Sequence, residues 1–333
     1  MKSPITGKEM KLIKEKRSMN FRKETFDVIF HYYKCEDSNE QFTTTSLDEV
    51  NMNQLYNQYR DMFNIPFPDE ISRIRKKYGL SAAKMSEILG FGVNSYRQYE
   101  AGEMPSTANA KLIQMADTPK SFIEMVELCG TLDEKTKEKY IKKAQLLEED
   151  RKRNIFKLNL KEYLLGDHLA DIYSGYRNPD FEKFSEMVVY FSEKLKPFKT
   201  KLNKLLFYSD FLMHKQSCYS ISGVRYRAID MGPVPNNFQS IFEYLENNNI
   251  IDISYIAFPN GNGEQFINRN DRKFNKEIFT DAELSVLEKV AETFKDTSTN
   301  DIIEISHLEK AWKANKDEKK IISYEYAFDL SQI

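Results

Sequence analysis

The sequence predicts a multidomain chain: a small β unit, an all-α helix-turn-helix bundle, and a mainly helical α+β domain in the C-terminal half. Three observations predict it. A β-branched and aromatic run, Thr25-Phe26-Asp27-Val28-Ile29-Phe30-His31-Tyr32-Tyr33, has strand composition. From Asp69 to Gly130, short apolar periods are punctuated by Gly79, Gly90, Gly92, Gly102, Pro105 and Pro119, as in a bundle of short helices with tight turns. Beyond about Asn154, helical periods alternate with strand-like pieces.

Within the 333 residues, Lys11-Leu12-Ile13-Lys14 and the run to Tyr33 form the β unit, which is too small to stand alone. The capping-box pattern Ser46-Leu47-Asp48-Glu49 predicts the start of a helix with Met52, Leu55, Tyr56, Tyr59, Met62 and Phe63 on one face, stopped by Pro66 and Pro68. A first domain is therefore placed at 1–66 and the helical bundle at 67–130. Between Asp133 and Arg153, 14 of 21 residues are charged with mixed sign, so 131–180 is read as a solvated connector. The last domain is placed at 181–333. Its expected helices are Phe181 to Leu195, Lys201 to Gln216, and an amphipathic one opening at Thr280-Asp281-Ala282-Glu283. Strands are expected at Val224 to Ile229 and Ile250 to Ala257, the second turning back through Pro259-Asn260-Gly261-Asn262-Gly263 into Gln265-Phe266-Ile267. Gly232-Pro233-Val234-Pro235 reads as a rigid turn, because proline fixes its own φ and extends the residue before it.

Net charge is −2, which excludes a uniformly basic nucleic-acid binder and confines any such surface to a patch. No stretch reaches the roughly 18 apolar residues of a membrane span, and no secretory pattern opens the sequence. Three widely spaced cysteines, Cys35, Cys129 and Cys218, give neither a disulfide framework nor a paired metal set. A cytoplasmic protein without membrane, cofactor or metal is the expectation. Phosphate-binding loops, nucleophile elbows and His-Glu metalloprotease patterns are absent, and His168, His214 and His307 lie in contexts that packing explains, so no enzyme is expected.

The local patch lies between Ile71 and Tyr99, where six basic residues face one acidic residue. Ser81 caps the second helix of the bundle, Gly90-Phe91-Gly92 supplies the turn, and Asn94-Ser95-Tyr96-Arg97-Gln98-Tyr99 begins the third. Asn and Gln bond adenine edges and Arg bonds guanine, while helix N-termini reach deepest into the major groove. The residues expected on DNA are Asn94, Ser95, Arg97 and Gln98 for bases, with Arg75, Lys76, Lys77 and Lys84 for phosphates. Tyr99 is expected to pack inward.

Leu80 through Gly90 followed by Asn94 through Gly102 resembles the Xre/Cro repressors, and residues 1 to about 130 resemble the MqsA-type antitoxins. In that family an Asn and an Arg four residues apart read bases. The resemblance maps these onto Asn94 and Gln98, so the operator should differ, with Arg97 next door as partial compensation. The family's zinc ribbon holds its metal through two Cys-x-x-Cys pairs, whose places are taken here by Ser3, Thr6, Cys35 and Ser38. The β unit is thus expected to be a degenerate, metal-free ribbon.

Lys201 through Tyr208, Tyr226-Arg227-Ala228, Met231 through Pro235, and His307 through Trp312 resemble, in this order, the SocA-like (Panacea) antitoxin domain. What the two resemblances imply together is an antitoxin. Its C-terminal domain would neutralise a toxin encoded by an adjacent gene, with Tyr208, Arg227, His307 and Trp312 as contact candidates, and its helix-turn-helix would repress the shared operon as a homodimer on double-stranded DNA. A lone Trp312 remains twice as easily a core anchor as a recognition residue. The alternatives are a transcription regulator that senses a ligand or protein through its C-terminal domain, and a proteolytic adaptor.

Overall fold

The computed structural model describes residues 1–166, 168–259 and 261–333. About half of the chain is helical and its sheets are small and antiparallel, in more than one compact unit. One unit comprises 56–160 and the other joins 1–55 to 161–333. The chain passes from one to the other inside two helices, α1 (Thr45–Phe63) and α7 (Glu134–Leu165).

In the helical unit, α2 (Pro68–Lys77), α3 (Ala82–Ile88), α4 (Ser95–Glu100), α5 (Thr107–Ala116) and α6 (Pro119–Leu128) follow the glycine and proline punctuation. Pro68 occupies the first turn of α2, where its missing N–H costs nothing, and the Glu70 carboxylate accepts from the Phe67 N–H at 2.6 Å. Ser81 caps α3 by accepting from the Lys84 N–H at 3.2 Å, and Gly79 and Gly90 take the positive φ that ends each preceding helix. Ile71, Ile74, Met85, Ile88, Tyr96, Ile113, Phe122 and Val126 make one apolar core, with Tyr78 and Phe122 stacked at 3.8 Å. Ala144 and Leu147 of α7 join it, so the first turns of the charged helix belong to the bundle.

In the other unit, β1 (Lys11–Phe21) and β2 (Glu24–Lys34) form an eleven-residue antiparallel hairpin, to which the short β3 (Gln41–Phe42) adds. β1 runs well past the expected Lys14, because Glu15 through Ser18 and Asn20 are polar residues of a strand that pairs on one side only among the described residues. Helix α1 begins at Thr45, one residue ahead of the Ser46 box. Thr44 Oγ1 accepts from the Leu47 N–H at 3.2 Å, so Thr44 supplies the cap that the sequence assigned to Ser46. Asn51 fastens α1 to β2 by donating to the His31 carbonyl and accepting from its N–H.

The hairpin is anchored on the C-terminal half of the same unit. Ile29, Val50, Cys218 and Phe328 pack together, the His31 ring lies 4.9 Å from that of Phe328, and Asn53 donates to the Ser217 carbonyl. The C-terminal part is centred on α9 (Lys199–Ser217), buried on nearly all of its circumference. Around it stand α8 (Phe181–Leu195), the ribbon of β4 (Tyr226–Ile229) with β5 (Gly232–Pro235), α10 (Phe238–Asn247), the hairpin of β6 (Asp252–Phe258) with β7 (Gly261–Ile267), and α11 (Asp281–Phe294), α12 (Thr299–Leu308) and α13 (Lys310–Lys313). The expected β6–β7 turn includes Asn260, which lies outside the described residues. Gly232 through Pro235, expected as a turn, is instead paired with β4, with Pro233 fixing its own φ and Val234 held extended before Pro235. The Thr280–Glu283 capping box forms as expected, with both reciprocal hydrogen bonds present.

Candidate nucleic-acid interface and C-terminal surface

The third helix of the bundle is held by its own buried side. Tyr96 is fully buried and donates its hydroxyl to the Ile71 carbonyl at 2.8 Å, while the Tyr96 N–H donates to Ser86 Oγ at 3.1 Å. Tyr99 is buried too and accepts from Asn109 at 2.9 Å. With positions 96 and 99 inside, 94, 97 and 98 must face out, and all three are exposed; Ser95 is half-buried. Asn94 stands at the N-cap position but makes no capping bond with its side chain. Among the described residues, the side chains of Asn94, Arg97 and Gln98 have no intramolecular hydrogen-bond partner, so their donors and acceptors are available to base edges.

The expected phosphate contacts divide differently. Lys76 is exposed and has no ion pair among the described residues. Arg75 is committed internally: its guanidinium grips Glu100 at 2.6 and 3.1 Å and the Leu80 carbonyl at 2.6 Å, bracing α2 against α4. Lys77 and Arg73 both clamp Asp117, Arg73 through two bonds of 3.0 and 3.1 Å. Burial resists the charge of Asp117, yet the two cations outweigh it and hold the carboxyl below its usual range. Lys84 pairs with Glu87 at 2.6 Å. The Lys84–Glu87 pair follows from helical spacing, whereas Glu100 and Asp117 lie 25 to 44 residues from the cations they bind, which spacing cannot show.

At the zinc-ligand positions of the resembled family, hydroxyls stand where thiolates would. Thr6 Oγ1 lies 3.5 Å from Cys35 Sγ, and hydrogen bonds from Ser3, Ser38 and Thr6 lower the thiol to about 6. Three hydroxyls and one sulfur do not suit tetrahedral zinc. Among the described residues no group of three or more His, Cys, Asp or Glu is placed to share a metal, and no helix is long and apolar enough to cross a membrane.

In the C-terminal part, Asp210 on α9 accepts from the N–H groups of Ile221 and Ser222, from Ser222 Oγ and from the Tyr226 hydroxyl, all within 2.8 Å, and thereby folds the loop before β4. Lys204 is fully buried and donates to the Pro233 carbonyl at 3.1 Å; burial alone pulls its ammonium down to about 7. Gly232, at φ +92°, lies so close that a Cβ would come within 2.6 Å of Lys204 Cε and 2.5 Å of Ser306 Oγ, so the Gly-Pro-Val-Pro segment packs where a side chain cannot fit. Tyr208 is wholly buried against Glu309 and offers no surface. Arg227 is half-buried and pinned to the Lys319 carbonyl and to Asn236. His307 and Trp312 stack at 3.7 Å, with the indole N–H donating to the Ile229 carbonyl, and the neighbouring Leu308 and Met231 are about half exposed. The partly accessible stack is the member of the expected set best placed for a partner.

The chain carries a helix-turn-helix arrangement with an exposed, internally unpartnered face on α4, together with a separate α+β unit. The comparisons with known proteins sharpen this. Residues 1–126 match the family of MqsA, the antitoxin component of a bacterial toxin–antitoxin system, and residues 202–313 match the antitoxin SocA-like, Panacea domain. No curated protein matches the chain. The protein thus fuses an MqsA-like N-terminal part to a SocA-like domain, and both families indicate an antitoxin role.

Proposed function

We propose that the protein binds and neutralises a cognate toxin, encoded by an adjacent gene, through its C-terminal domain at 181–333. The helix-turn-helix at 67–130 represses the shared operon as a cytoplasmic homodimer on double-stranded DNA. The degenerate ribbon needs no metal, and no catalytic step is assigned to any residue. The observation that carries the DNA arm is the exposed, internally unpartnered row Asn94, Arg97 and Gln98 on α4. For the toxin arm it is the His307–Trp312 stack with exposed Leu308 and Met231 beside it, an amphipathic aromatic edge of the kind that anchors interfaces.

Two experiments test the arms separately. The neighbouring small reading frame, induced alone, is expected to arrest growth, and co-expression of the full chain to restore it. A Trp312→Ala variant that remains folded should lose rescue and keep operator binding. Undiminished rescue by that variant would remove Trp312 from the contact set, and a harmless neighbour would remove the toxin. A ligand-sensing regulator is the second reading. It is favoured by a cavity of about 560 Å³ whose lining includes Lys196 and Lys273, together with Arg269 and Arg272, which pair with Asp252, Asp271 and Glu186. Operator affinity that changes with an anionic metabolite, in the absence of any toxin, would support it.

A further inference from the structure

Val93 is 75 % exposed although it is aliphatic, and it occupies the turn that leads directly into α4. Its neighbours Gly92 and Asn94 are exposed as well, and the Ser95 N–H donates to the Gly92 carbonyl at 2.9 Å, which closes the turn. Val93 and Arg97 are four residues apart, as are Asn94 and Gln98. Val93, in the turn, thus stands next to the exposed Asn94 and ahead of the exposed Arg97 and Gln98, while Tyr96 and Tyr99 are buried. Three members of this group are polar and suited to donors and acceptors of bases; Val93 has neither. On the floor of the major groove the apolar group that distinguishes one base pair from another is the C5-methyl of thymine. A turn that delivers Asn94 to a base edge delivers Val93 to the same or the adjacent step, since the start of the third helix reaches deepest.

Resting on the operator-binding reading above, we infer that Val93 reads a thymine methyl group, adding an apolar contact to the polar contacts of Asn94, Arg97 and Gln98. Isolated exposed aliphatics are common on protein surfaces, so the test removes the methyl and the side chain independently.

The full chain is titrated by fluorescence anisotropy against the DNA upstream of its own gene. The fragment is amplified once with thymine and once with uracil, which lacks only the methyl. The wild type is expected to bind the thymine fragment roughly fourfold more tightly, the factor that burial of one methyl-sized group supplies. Val93→Ala should bind both fragments alike, near the wild-type affinity for uracil DNA, and Val93→Ile should keep the preference. Equal wild-type affinity for the two fragments overturns the inference and leaves operator binding standing. A preference that persists in Val93→Ala also overturns it, because the methyl is then read elsewhere or through DNA shape. Failure of the wild type to bind either fragment overturns the operator reading itself.

Discussion

Lys204 is a charged group that the core of the C-terminal part tolerates at a cost. It is fully buried and donates to the Pro233 carbonyl, and among the described residues no carboxylate pairs with it. Lys204→Met, which keeps the length of the side chain, is expected to stabilise the protein by about 1–4 kcal/mol at pH 7. The gain should shrink as pH rises towards 10.5, where the unfolded chain also loses the proton; calorimetric melting across this range checks both statements. His214 gives a pH dependence of the same sign in a lower window. Burial lowers its ring to about 3, whereas the unfolded chain takes up the proton near 6.5. Below pH 6.5 the unfolded state binds a proton that the folded state refuses, so stability falls with acidification by up to about 1.4 kcal/mol per pH unit. His31 is lowered by burial as well and adds to the same slope. His214→Phe should flatten the dependence of Tm on pH between 6.5 and 4, and an unchanged slope would reassign the effect to other groups.

At the scale of elements, α4 is a six-residue helix whose direction is set by contacts to α2 and α3 and not by its own length. Arg75–Glu100, Tyr96 to Ile71 and Tyr96 to Ser86 fix it, so its exposed residues are presented on a rigid support. Asn94→Ala is expected to weaken operator binding by about 1–3 kcal/mol while leaving random DNA almost unaffected. Lys76→Ala should weaken binding to both alike and lower the salt dependence by about one ion. Competition titrations at two salt concentrations separate the two behaviours, and equal losses on both DNAs for Asn94→Ala would remove its base-reading role. The exposed face of α4 was legible in the sequence because its signals are local: a cap at Ser81, a glycine turn, and amides at helical spacing. The commitment of Arg75 and Lys77 to carboxylates was not, since Glu100 and Asp117 reach these cations only through tertiary packing. Pro233 and Pro235 misled for a related reason. Proline announces an extended backbone, and whether that backbone turns or pairs depends on the partner strand.

At the scale of the whole molecule, the family boundary and the compact units do not coincide. Residues 1–126 match one family, yet 1–55 pack within the unit that contains 161–333, where Ile29, Val50 and His31 meet Cys218 and Phe328. Sequence periodicity gave no sign of this, because Ile29 and Phe328 lie 299 residues apart and nothing in either segment names the other. Deleting 1–44 exposes Phe328 and part of the Cys218 surroundings to water, a loss of the order of 2 kcal/mol or more by the usual cost of an emptied apolar contact. The shortened chain is therefore expected to melt several degrees lower in its C-terminal transition and to show faster amide hydrogen exchange at 322–330, with the helical unit at 56–160 unchanged. Phe328→Ala in the full chain should reproduce the same local exchange pattern. If the deletion leaves exchange at 322–330 untouched, the hairpin contributes nothing to that surface. A toxin-rescue assay could then use 161–333 alone, which the present packing advises against.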